Sequence, residues 1–108
     1  MFIDPDRHQI EATKKIGVKI IELHTGNYAD SKTESGQRRE LAILTDAAAC
    51  GLGLGFTVNA GHGLNYQNVV PIAKIPGIYE LKIGHSIIAR AIIVGLTRAV
   101  KEMKALTV

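Results

Sequence analysis

The 108-residue chain has no tryptophan, a single cysteine, three prolines and few aromatic side chains of any kind. Each shortage excludes something. Cys50 alone permits neither an internal disulfide framework nor a cysteine-cluster zinc site, and it fits a reducing compartment, so a cytoplasmic protein is expected. No uninterrupted apolar run approaches the roughly 20 residues that a membrane span requires. The opening MFIDPD carries neither the basic region nor the apolar core of a secretion signal. A block of like charges is missing too. The formal net charge is +3, but Lys14, Lys15 and Lys19 lie near Glu11 and Glu22, Arg38 and Arg39 adjoin Glu40, and Lys101 and Lys104 flank Glu102. No basic stretch is interleaved with aromatics, so no nucleic-acid partner is expected. A mildly basic domain suits small anionic substrates.

What is present is apolar and periodic. Hydrophobic residues make up 46% of the chain and charged residues 21%, too apolar a balance for disorder. The length suits one domain over residues 1–108. Phe2-Ile3 reads as a strand stub ending at Asp4, and Pro5 follows as a favoured first helical residue after an Asp cap. The helix it opens is expected to run to Ile16 and to stop at Gly17. Val18 to Leu23, rich in β-branched residues, reads as a second strand, and His24 to Ser35 as a polar loop. A helix is expected from Gly36 to Cys50, closed by Gly51, then a strand from Phe56 to Ala60. The loop from Gly61 to Asn65 leads to a short helix over Tyr66 to Ile75 and a strand from Tyr79 to Ile83. Ser86 then caps one long final helix in which Ile88, Ile92, Leu96, Ala99, Met103 and Leu106 recur at spacings of three and four.

The alternation is βαβαβαβα, which calls for parallel strands with right-handed crossovers. If those strands lie in sequence order, every helix falls on one face of the sheet and the other face is left uncovered. Parallel sheets are normally covered on both faces, and an open inner face is the interior of a (β/α)₈ TIM barrel, for which about 250 residues are typical. The pattern therefore predicts a (βα)₄ half of such a barrel. A missing half completes it, a second copy does, or a shuffled strand order makes a doubly wound sheet instead.

The ionisable residues cluster at the carboxyl ends of the predicted strands, where parallel α/β folds bind ligands. Glu22 and His24 end the second strand, His62 follows the third and His85 the fourth; His8 is the exception. Ile20, Glu22 and His24 share one strand face. A carboxylate inside an apolar strand is costly to desolvate, which marks Glu22 as a candidate acid, base or charge stabiliser. The turns Gly61-His62-Gly63 and Gly84-His85-Ser86 each join a strand end to a helix start, where glycine admits a ligand close to the backbone and exposed N–H groups attract an oxyanion. Plain alternatives stand beside each: Asp4 as a cap, Glu22 as the ion-pair partner of Lys19 or Lys82, the histidines as ordinary loop residues. The spacing of His24, His62 and His85 matches no ligand motif, so no metal is expected.

The stretches FIDPD (2–6), IIELHTGNYAD (20–30), VNAGHGLNYQNV (58–69) and ELKIGHSIIARAI (80–92) closely resemble the pyridoxine 5'-phosphate synthase family. The likeness runs over essentially the whole chain and matches only the family's second half, from the fifth barrel strand onward. The resemblance implies a ring-closing transferase that condenses 3-amino-2-oxopropyl phosphate with 1-deoxy-D-xylulose 5-phosphate, without metal or organic cofactor, in a homo-oligomer. Carried over by motif, it implies His62 as a proton donor, Glu22 as a transition-state stabiliser, and Gly63, Gly84 and His85 as holders of the amino-ketone phosphate. The family's other acid/base residues belong to the half this chain lacks, so the chain alone is expected to be inactive unless an amino-terminal half-barrel complements it. The alternative is a non-catalytic half-barrel that pairs with itself and binds a phosphorylated metabolite.

Overall fold

A computed structural model describes residues 1–107. Its elements are β1 (Phe2–Ile3), α1 (Arg7–Lys15), β2 (Ile20–His24), α2 (Gly26–Asp30), α3 (Glu34–Gly53), β3 (Thr57–Gly61), α4 (Val69–Ala73), β4 (Ile78–Lys82), α5 (His85–Val94) and α6 (Leu96–Leu106). The four strands form one sheet in the order β1-β2-β3-β4, every pair parallel. Sequential order excludes the doubly wound sheet and leaves the half-barrel.

Strand alternation divides the sheet into unlike faces. Ile21 and Leu23 of β2 and Val58 and Ala60 of β3 are buried in one core with Ile10, Tyr28, Leu44, Ala48 and Ile72 from the helices. On the other face Ile20 is exposed and Glu22, His24 and Thr57 are only half-buried. Glycine permits the close approach of α3 to the sheet. A Cβ at Gly51 would stand 2.9 Å from Val58 and 3.0 Å from Ile21.

Several boundaries differ from the sequence reading, each for a local reason. The cap of α1 is Asp6, whose carboxylate accepts from the His8 N–H at 2.9 Å, while Asp4 is engaged with Gln9. Helix α3 starts two residues early because Thr33 caps it, its hydroxyl accepting from the Gly36 N–H, and it runs through Gly51 to Gly53. The supposed polar loop after β2 holds the short helix α2, whose Tyr28 is core: its hydroxyl donates to the Asn68 carbonyl at 2.7 Å, and burial raises its pKa. The long final helix is two helices. Gly95, at φ +87°, breaks it, and α5 and α6 then pack on each other with Arg90 and Arg98 both bonded to Glu102. Ser86 does not cap α5, which begins after Gly84 with no side-chain cap.

Candidate active site

Register determines which residues reach the rim. His24 at the end of β2 pairs with Gly61 at the end of β3, and Gly61 in turn pairs with Lys82 at the end of β4. The residues that follow Gly61 and Lys82 turn upward into a cleft of about 390 Å³ lined by His62, Gly63, Leu64, Ile83, Gly84 and His85. Four of the five site residues expected from sequence therefore share one cavity. Glycine is required at only one of its two turns. Gly63 has φ +72°, and a Cβ there would meet the Ala29 methyl at 2.7 Å. Gly84 has open space where a Cβ would go, so the gap beside it is free for a ligand.

Polar contacts tie the two turns into one unit. The Ser86 hydroxyl donates to the Leu64 carbonyl at 3.0 Å, joining the β4 turn to the β3 turn. Asn68, buried, donates to the Gly63 carbonyl at 3.1 Å and accepts from the Asn65 N–H at 2.8 Å. His62 is the one non-glycine residue with positive φ among those described, at +98°. Such a conformation costs on the order of 1–3 kcal/mol and persists where the surroundings over-determine it. Here Thr25, fully buried, donates its hydroxyl to the His62 carbonyl at 2.6 Å.

Glu22 lies below this cleft rather than in it. It lines a second concavity of about 470 Å³ on the open sheet face, with Phe2, Ile20, Thr57, Asn59, Glu80 and Lys82. Gly61, beside Glu22 and Lys82, has no room for a side chain: a Cβ there would meet Lys82 at 2.8 Å and the Glu22 carboxylate at 3.1 Å. Glu22 forms no ion pair with Lys19 or Lys82 among the described residues. Lys82 bonds instead to Glu80, which raises the lysine pKa, with Glu22 a smaller contribution of the same sign. Asn59, opposite Glu22 in the ladder, accepts from the Glu80 N–H at 3.0 Å across the irregular β3–β4 register. Asp4, exposed and bonded to Gln9, lines neither cavity.

Two contacts at His62 have no signal in the sequence. His24 stacks on His62 with ring centroids 4.5 Å apart, and Thr25 clamps the His62 backbone. His24 was visible as a rim residue on the Glu22 face, but nothing in its spacing said that its ring would meet His62. Among the described residues no three His, Cys, Asp or Glu side chains converge as metal ligands, and no helix is long and apolar enough to cross a membrane.

The family model for the pyridoxal phosphate biosynthesis protein PdxJ matches residues 1–108. The chain belongs to the PdxJ family. Two of its curated relatives are the pyridoxine 5'-phosphate synthases of Photobacterium profundum, 57% identical over 104 residues, and of a Synechocystis species, 56% identical over 104 residues. Each alignment covers 96% of this chain and 43% of the relative. The chain thus spans less than half the length of the curated relatives it matches.

Proposed function

We propose that residues 1–108 form a single domain that supplies strands five to eight of a TIM-barrel pyridoxine 5'-phosphate synthase. The completed enzyme condenses 3-amino-2-oxopropyl phosphate with 1-deoxy-D-xylulose 5-phosphate to pyridoxine 5'-phosphate, inorganic phosphate and water. The observation that carries this reading is the single cleft shared by His62, Gly63, Gly84 and His85. The amino-ketone phosphate sits against Gly63, Gly84 and His85. The gap at Gly84 lets the phosphate approach the backbone, and the first free N–H groups of α5, with the positive end of its dipole, face the anion.

His62 is the proton donor. Hydroxide is a poor leaving group, so dehydration needs a group that gives up a proton near neutral pH, and imidazole does so with little tuning. His62 is exposed and lines the same cleft as Gly63, Gly84 and His85. Glu22, one step down the sheet, is the charge stabiliser: a carboxylate favours positive charge developing on the substrate amine. The remaining acid/base groups and most of the sugar-phosphate contacts come from an amino-terminal half-barrel, either fused or separate, and the intact enzyme is a homo-oligomer.

The test is turnover. Purified residues 1–108 are expected to have no synthase activity, and joining an amino-terminal half is expected to restore it. In that completed barrel His62→Ala lowers kcat by about 10²–10⁴-fold, the usual worth of a positioned proton donor. A rate within a few-fold of the parent would make His62 an ordinary loop residue.

A second reading is favoured by the open sheet face, where Phe2 and Ile20 are each about half exposed and Tyr79 is 74% exposed. Two copies pairing through these faces form a non-catalytic barrel that binds a phosphorylated metabolite. Sizing the purified chain separates the two, since a well-behaved monomer contradicts self-pairing.

A further inference from the structure

The stacking of His24 on His62 has no part in the reaction scheme above, and its geometry is specific. The two imidazoles lie at a 4.5 Å centroid distance with 24° between their planes. On its far side, His24 meets the Phe2 ring at 4.9 Å, tilted by 60°. Its Nδ1 accepts the Gly26 N–H at 3.1 Å, which fixes the ring from the backbone. Gly26 leaves room for this arrangement and nothing more: a Cβ there would stand 2.3 Å from His24 Cε1 and 3.2 Å from His62 Cδ2. His62, by contrast, is held at its carbonyl by Thr25 and at its ring face by His24. Among the described residues, no hydrogen bond occupies either of its ring nitrogens. A proton donor held by its face keeps both nitrogens free for substrate, whereas one held by a hydrogen bond gives up a nitrogen.

We propose that His24 is a positioning residue for His62, a flat surface on which the His62 ring is seated over the cleft. This rests on the reading of His62 as the proton donor. The consecutive residues His24, Thr25 and Gly26 then act as one clamp: a stacked ring, a hydroxyl on the strained carbonyl, and a glycine that makes space. The two histidines are not interchangeable, because the Nδ1 of His24 is already engaged by the backbone. The contribution proposed for His24 is its planar face, and the pH profile of His24→Phe tests whether a proton is involved as well.

The experiment uses a full-length synthase whose carboxyl-terminal half is this chain, with His24→Leu and His24→Phe measured beside His62→Ala. Losing the flat face misplaces the donor, and a misplacement of about 1 Å costs up to roughly 100-fold in rate. His24→Leu is therefore expected to lower kcat about 10- to 100-fold with KM for the amino-ketone phosphate little changed. His24→Phe restores the face without an ionisable group, so kcat is expected within about threefold of the parent, with an unchanged pH profile. The inference is overturned if His24→Leu keeps full kcat, or if His24→Phe is as slow as His24→Leu or loses a limb of the pH profile, which would make His24 a proton carrier. If the leucine variant does not fold, the phenylalanine variant decides alone by its rate and pH profile. An unaffected His62→Ala would sink the function reading itself, an outcome separate from any of these.

Discussion

The two faces of the sheet are made from alternate residues of the same strands and could hardly differ more. The helix-facing side of β2 and β3 is Ile21, Leu23, Val58 and Ala60, none more than 1% exposed. The opposite side presents Ile20, Glu22, Thr57 and Asn59, beside Glu80 and Lys82 of β4. The first face closes a core within these residues. The second gathers charges and half-exposed apolar groups that nothing among the described residues covers, and it leads to the His62 cleft. One face therefore makes the fold, and the other, with its rim, is where the proposed chemistry would lie.

The sharpest way to break that division is to alter neighbouring residues in β2. Leu23→Ala empties a fully buried site and is expected to destabilise by about 2–5 kcal/mol in urea unfolding, while Glu22→Gln changes stability by under about 0.5 kcal/mol. Equal costs would show the open face to be structural. The rim offers a finer comparison between its two glycines. Gly63→Ala meets both a left-handed backbone and the Ala29 methyl, and it is expected to lose about 1–3 kcal/mol. Gly84→Ala meets nothing within 4 Å, so stability is expected to stay within about 0.5 kcal/mol. In a completed barrel the proposed phosphate site predicts a raised KM for the phosphorylated amino-ketone, because the methyl would fill the approach to the backbone. An unchanged KM would remove the phosphate from that turn.

The smallest effect lies outside both faces, in the α5–α6 clasp. Hydrogen bonds from Arg90 and then Arg98 hold the Glu102 carboxyl below its ordinary pKa. A group with a depressed folded-state pKa stabilises above the usual carboxylate range, and that contribution disappears as pH falls below it. Glu102→Gln is expected to lower the melting temperature slightly at pH 7 and not at pH 3. A loss of equal size at both would assign the role of Glu102 to packing.

Much of this was legible in the sequence. The β-branched run at residues 18–23 and the Gly-His turns at 61–63 and 84–85 located the strands and the rim, because strand period and turn chemistry are local properties. Errors arose where a residue has two local uses. Asp4 and Asp6 are equally good caps, and only the chain direction after Pro5 selects Asp6. Gly51 resembles a helix stop but serves as a contact surface against Val58 and Ile21. Gly95 gives no local stop signal because the apolar spacing continues across it, although its backbone turns left-handed and splits the helix. Tyr28 read as a loop residue because its burial depends on Asn68, forty positions away.

The sequence by itself determined the parallel alternation, the uncovered inner face and the placement of His62, Gly63, Gly84 and His85 at strand ends, since each follows from short-range periodicity and glycine. Only the tertiary structure decided that those four share one cleft, that Glu22 sits beneath it across Gly61, and that His24 lies flat on His62. Those relations depend on strand register, which pairs His24 with Gly61 and Gly61 with Lys82. Register is set by how side chains from distant segments pack, and no stretch of sequence holds that information alone.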